Sequence, residues 1–194
     1  IEAAREVLPN VPMVGVFDTA FHQTMDEVSY MYPVPYEWYE KYGVRKYGFH
    51  GTSHCYVSQQ IPKLLGRDEY KAIICHLGSG GSLSAVRDGK CVDTSMGFTP
   101  LPGIMMGTRS GDIDPSIIPF VAKKENKTAD EVVNELNKKS GFLGLTEKYS
   151  DFRDVYAGVE AGDEKCILAF NKYVRTVVNY IAMYYVELGG VDII

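Results

Sequence analysis

The chain has 194 residues, 45% hydrophobic and 23% charged, enough apolar material to close a core without cross-links. A net charge of −5 with no dense Lys/Arg block disfavours a nucleic-acid partner. Four scattered cysteines with no C-x-x-C pair argue against a zinc site and a disulfide scaffold and fit a reducing cytoplasm, and no apolar run reaches the about 18 residues of a membrane span. Residues 1–8 (IEAAREVL) read as a helix ended by Pro9-Asn10, with no signal peptide visible. Val11–Phe17 is a short β-branched run expected as a buried strand, with Asp18 just beyond it. Residues 30–47 are aromatic and proline-rich, expected to be packed but irregular. Gly51-Thr52-Ser53 opens a helix to about Leu65, which Pro62 should kink or shorten.

Tyr70–Cys75 reads as the next strand. Ser82–Val86 and Cys91–Ser95 are expected to pair as a hairpin, because Asp88-Gly89 between them is a strong two-residue turn signal. A loop rich in Gly, Pro, Thr and Met follows over Gly97–Asp114, and Asp114-Pro115 then starts a helix with Asp as its cap. Thr128-Ala129-Asp130-Glu131 is a capping box for another. Glu164–Leu188 is a long helix whose apolar positions recur every three to four residues, stopped by Gly189-Gly190. Three consecutive strands followed by helices predict a mixed sheet with helices on its face. The chain opens inside a helical pattern and stops at the start of a strand pattern, Val191–Ile194, so an excised piece of a longer protein is expected.

Four stretches can carry chemistry. In "HLGSGGS" (76–82) three glycines let backbone N–H groups approach an anion without a Cβ in the way, although a tight β-connection explains them as well. The loop does not fit the G-x-x-x-x-G-K-[ST] pattern. In "MGTRSGDIDP" Arg109 stands between two glycines, and a guanidinium grips phosphate with two prongs without losing its charge; the plainer alternative is a surface Arg in a polar turn. "YGFHGTSH" puts His50 immediately before a helix start, where an anion meets the positive end of the helix dipole. "VFDTAFH" puts Asp18 where a carboxylate can bind Mg²⁺ or orient an Arg, or simply serve a turn. Two glycine loops, an Arg, two His and an Asp, without metal-ligand spacing, fit phosphoryl transfer, where catalysis is mostly positioning and charge neutralisation.

In order along the chain, "VFDTAFHQTM", "YGVRKYGFHGTSHCYVS", "HLGSGGSLSAVRDGKCVDTSMGFTPLPGIMMGTRSGDIDP" and "SGFLGLTEKYSDFRD" resemble the signatures of the acetate kinase family, within the acetate and sugar kinase/Hsp70/actin superfamily. The resemblance covers essentially the whole chain. It implies an α/β, ribonuclease H-like (actin-like ATPase) fold with a mixed sheet, forming most of one lobe of a two-lobed kinase. Residues 1–20 would end the first lobe and form the hinge; residues 21–194 would be the second lobe, truncated before its adenosine-binding loop. The implied reaction is transfer of the ATP γ-phosphate to acetate with Mg²⁺, in a cytoplasmic homodimer. By motif, His50 would stabilise the transferring group, Arg109 would hold acetate and developing charge, and Asp18 would act near the metal. His76, Gly78, Ser79 and Gly80 would contact the ATP phosphates, and Phe49 and Pro100 would line the pocket for the acetate methyl.

Departures from the family pattern are Ser79 where H-L-G-N-G is common, and Pro62 in a helix that normally lacks it. The family's N-terminal Asn/Ser-rich loop, upstream Arg, later G-G-I-G-E-N-type loop and C-terminal Glu are not in the chain, so it is expected not to turn over alone. A propionate or butyrate kinase of the same family and a non-catalytic actin-like module binding nucleotide are the alternatives. The joint presence of His50, Arg109 and Asp18 speaks against the second, because binding alone does not need that trio.

Overall fold

The computed structural model describes all 194 residues. Three strands, β1 (Lys71–Leu77), β2 (Gly81–Arg87) and β3 (Lys90–Thr94), form an antiparallel sheet in the order β1-β2-β3. All three fall where the alternation and the turn signal put them. Asp88 and Gly89 take φ of 50° and 78°, the positive values of a tight turn whose twist matches its strands. The Asp88 side chain also accepts the Tyr70 N–H at 2.8 Å, fastening that turn to the start of β1. Ile193 adds a single parallel bridge to Ala72 on the outer edge of β1, which gives the sheet its mixed character.

Nine α-helices and one 3-10 helix (Ala20–Thr24) accompany the sheet, the α-helices being α1 (Glu2–Val7), α2 (Glu27–Tyr30), α3 (Tyr36–Tyr42), α4 (Gly51–Leu65), α5 (Ile117–Glu125), α6 (Ala129–Lys138), α7 (Gly141–Thr146), α8 (Phe152–Glu160) and α9 (Glu164–Leu188). The period-2 alternation of the strands divides the core. Ile73, Leu83 and Ala85 pack with Ile104 against Tyr184 and Leu188 of α9. On the opposite face Ala72, Ile74 and Val86 pack against Ile61 of α4 and Tyr70. The sheet is thus a middle layer between α4 and α9. A third cluster, with Phe142, Val155 and Cys166, joins α7 and α8 to α9. Glycine at 189 caps α9 in the left-handed conformation, and Thr128 and Glu131 form the expected capping box of α6.

Four expectations are corrected. Val11–Phe17 is not a buried strand: it has no regular structure, and Val14 and Val16 are 86% and 77% exposed. A β-branched run favours extended backbone, but a strand needs a neighbour's hydrogen bonds, and none of the three strands lies beside it. Residues 30–47 are not wholly irregular, since α3 lies within them, with the Arg45 guanidinium 3.7 Å from the Tyr30 ring centroid. The helix after Asp114-Pro115 begins at Ile117; Asp114 instead accepts the Ser116 N–H at 2.8 Å in the turn before it.

Pro62 neither ends α4 nor shortens it before Leu65. A proline has no N–H for the carbonyl four residues back, here that of Ser58. The Tyr70 hydroxyl fills the place, donating to the Ser58 carbonyl at 2.9 Å and lying 2.7 Å from the Ser58 hydroxyl.

Candidate functional site

The site begins at the N-terminus of α4, where the first N–H groups have no helical partner. His50 occupies the cap position with φ of 57°, the left-handed region. Asp18 reaches across from the preceding segment. Its carboxylate accepts the His50 N–H at 2.6 Å and the Thr52 N–H at 3.4 Å, and its carbonyl accepts the Gly51 N–H at 2.8 Å. The exposed carboxylate therefore sits at the positive end of the helix and fixes the backbone of His50.

The two glycine loops meet beside it. The Gly78 N–H donates to the Gly80 carbonyl at 3.1 Å, and the Gly107 N–H donates to the Ser79 carbonyl at 3.0 Å. The Ser79 and Gly80 N–H groups donate to no protein acceptor. A Cβ at Gly80 would lie 3.3 Å from Arg109 Nη1 and 3.4 Å from His50 Nε2. A guanidinium and an imidazole nitrogen thus flank one spot of bare backbone. Arg109 has no carboxylate partner; its Nη1 donates weakly to the Pro100 carbonyl at 3.4 Å and lies 3.8 Å from Met106 Sδ. A half-buried cation with unused donors can receive an anion.

His50 continues inward. Its Nδ1 is 2.8 Å from Ser82 Oγ, and its ring stacks on that of His76 with centroids 4.1 Å apart. His76 Nδ1 meets Ser53 Oγ at 2.9 Å. Burial pushes His50 down to about 4, with His76 and Arg109 nearby working the same way and Asp18 opposing them. His54 is fully buried with its Nε2 2.8 Å from the same Ser82 Oγ, and burial lowers it to about 3. At pH 7 both imidazoles are neutral.

Of the sequence-predicted residues, Asp18, His50, His76, Gly80 and Arg109 are brought together, with Gly78 and Ser79 in the same loop. Pro100 joins them through its carbonyl on Arg109. Phe49 is half-buried directly before His50, and its carbonyl accepts from His22 Nε2 at 2.8 Å. Two groups escaped sequence reasoning. Ser82 and His54 complete the imidazole cluster, and only the four-residue spacing of the histidines in "HGTSH" hinted at His54. Beyond the glycine loop a cavity of about 430 Å³ opens between Leu77, Gly78, Ser79, Phe142, Phe152 and Arg153. Phe152 opens α8, and Arg153 is held by Asp151 through two donors at 2.9 and 2.7 Å. "SDFRD" belongs to a stretch that carries the family resemblance, but nothing in it marked these side chains as neighbours of residues 78 and 79.

A model of the Acetokinase family matches residues 1–194. Acetate kinase of Phocaeicola vulgatus is 58% identical over 196 residues, covering 100% of this chain and 49% of that protein. Acetate kinase of Bacillus subtilis is 55% identical, covering 100% of this chain and 50% of that protein. The crystal structure of Porphyromonas gingivalis acetate kinase superimposes with a TM-score of 0.92 at 44% identity, covering 98% of this chain and 48% of that one. That of a propionate kinase from Francisella tularensis gives 0.93 at 45% identity, covering 96% and 48%. The chain spans about half the length of the curated relatives it matches.

Proposed function

Since the chain belongs to the Acetokinase family, we propose that within its full-length protein it transfers the γ-phosphoryl group of ATP to acetate, reversibly, giving acetyl phosphate and ADP. The observation that carries this reading is the convergence at Gly80 of an unpaired guanidinium, an imidazole nitrogen and backbone without side chain. In this step a carboxylate oxygen of acetate bonds to the γ-phosphorus while the bond from phosphorus to the bridging oxygen breaks, and ADP keeps that electron pair. Acetate is already ionised at pH 7, so no base has to remove a proton. What the site must supply is positioning and donors for the charge gathering on the equatorial oxygens.

Arg109 supplies the fixed charge and two-pronged donors, and His50 supplies a neutral donor from the opposite side. Asp18 orients His50 through its backbone N–H. His76, Gly78, Ser79 and Gly80 hold the phosphate tail. The cavity behind them takes the nucleoside, with Phe152 as an apolar face against the base. Phe49 and Pro100 bound the acetate methyl. Mg²⁺, when bound with the nucleotide, neutralises charge on the phosphates. It keeps several waters and needs only one or two carboxylates, which the exposed Asp18 can provide. No three His, Cys, Asp or Glu side chains converge into a metal cage, which suits an ion that arrives with ATP.

In this reading residues 1–20 belong to the hinge of a two-lobed kinase and residues 21–194 to its second lobe. The protein is a cytoplasmic homodimer; four free cysteines fit a reducing compartment, and the apolar residues exposed along α9 fit a subunit contact. A propionate kinase is the second reading, favoured by the equal structural likeness to one. A pocket one methylene larger changes discrimination by only about 1–3 kcal/mol. Full-length protein is to be assayed with ATP and acetate, propionate or butyrate, trapping acyl phosphate as the hydroxamate. Acetate is expected to give the highest kcat/KM. A preference for a longer acid moves the assignment to that acid, and no acyl phosphate from any of them rejects it.

A further inference from the structure

Behind His50 a chain of polar atoms runs into the core. Ser82 on β2 is fully buried, and its Oγ is 2.8 Å from both His50 Nδ1 and His54 Nε2. His54 Nδ1 has no hydrogen-bond partner. A serine hydroxyl owns one proton and two lone pairs, so the direction it chooses constrains both imidazoles at once. If Ser82 donates to His54, the His54 proton sits on Nδ1, buried with nothing to receive it. His50 must then donate from Nδ1 and turn a bare Nε2 lone pair toward Gly80. If both imidazoles donate to Ser82, the hydroxyl proton is itself buried without an acceptor. If His54 donates from Nε2, Ser82 donates to His50 Nδ1 and His50 keeps its proton on Nε2. Among the buried groups of this chain of polar atoms, one lone pair, on His54 Nδ1, is then the only one without a partner. An under-satisfied acceptor is commoner in proteins than an orphaned buried donor, so the third arrangement wins.

We propose that Ser82 and His54 are positioning residues: the one-way chain from His54 Nε2–H through the Ser82 hydroxyl to His50 Nδ1 locks His50 in the tautomer that presents Nε2–H toward Gly80. The consequence for catalysis rests on the kinase reading, because only an anion at Gly80 needs that donor; the tautomer itself does not. An imidazolium at His50 would also donate from Nδ1, turning the Ser82 hydroxyl onto His54 Nε2 and leaving the His54 Nδ1–H buried without an acceptor, the arrangement already rejected. Stacking on His76 holds the ring plane, and Asp18 holds the backbone, so the proton position is the one freedom left to His50.

The test uses full-length protein with ring-¹⁵N-labelled histidine, whose shifts separate protonated from bare nitrogens, and His50→Gln to assign the His50 signals. At pH 7 without ligand, His50 and His54 are both expected to be protonated on Nε2. Ser82→Ala is expected to give a mixture of His50 tautomers. It should lower kcat about tenfold with KM values within about twofold, the size of one lost net hydrogen bond. Ser82→Thr, which keeps the hydroxyl, is expected to restore the tautomer and most of the rate. A wild-type His50 protonated on Nδ1 overturns the proposal, whether or not Ser82→Ala folds. So does an unmixed Nε2 tautomer in folded Ser82→Ala. A wild type with the expected tautomer that forms no acyl phosphate supports the relay and rejects the kinase reading instead.

Discussion

Gly80→Ala puts one methyl where Arg109 Nη1 and His50 Nε2 converge, 3.3 and 3.4 Å away. Gly80 is not among the positive-φ residues, so alanine fits the backbone and the cost falls on the site. An anion held between those donors would have to shift. The expected result is a kcat/KM for ATP about tenfold or more below wild type, within the ~1–3 kcal/mol of forced repacking, with thermal unfolding unchanged. Equal kcat/KM would remove Gly80 from the phosphate site. A second prediction concerns His54. Its folded pKa of about 3 lies below the ordinary value of 6.5, so the unfolded chain takes up the proton first. That contribution to stability is present above about 6.5 and is lost as pH falls toward 3. His22 and His50 are lowered as well, mainly by burial, and act in the same sense. The urea midpoint is expected to fall between pH 7 and 5.5, and His54→Phe to fall less steeply; an unchanged slope would contradict the assignment. Arg109, His50 and Asp18 were legible in the sequence because each stands in a local frame of glycine or at an element boundary. His54 and Ser82 were not, because a buried hydrogen bond between residues 28 apart is made by packing and leaves no mark on either neighbourhood.

At the scale of single elements, α4 survives Pro62 because Tyr70 supplies the hydrogen that proline lacks. Tyr70→Phe leaves the buried Ser58 carbonyl and hydroxyl short of their partner, and is expected to cost about 1–3 kcal/mol in urea denaturation. In a Pro62→Ala background the restored N–H can serve that carbonyl, so the cost should shrink; equal costs in both backgrounds would refute the compensation. The capping box of α6, the Asp-Gly turn and the 25-residue α9 were readable because their signals lie within a few residues of one another. Val11–Phe17 was misread for the opposite reason. Its residue types specify an extended backbone, while pairing depends on where other strands lie, and none of the three strands lies beside it.

In the molecule as a whole, the sheet faces α4 on one side and α9 on the other, and the candidate site lies where the β1–β2 connection meets the start of α4. Helices on a face of the sheet followed from consecutive strands succeeded by helices, whereas the covering of the second face by α4 and the placing of α7 and α8 beside the glycine loop did not. One stripe of α9 is turned outward, with Val178 and Val186 at 51% and 77% exposure. If it carries the subunit contact, full-length protein should sediment as a dimer, and Val178→Asp with Val186→Glu should sediment as a monomer with unchanged far-ultraviolet circular dichroism. A dimer that survives both changes places the contact elsewhere. The rim of β1 has a consequence of a different kind. Ile193 meets it at Ala72 alone, and from Ile74 to Leu77 its sideways-facing amides and carbonyls have no strand alongside. Such a ladder recruits whatever extended backbone it encounters. Concentrated solutions of residues 1–194 by themselves should therefore gel or seed fibrils that bind amyloid dyes, and clear, dye-negative samples would mean the rim is shielded.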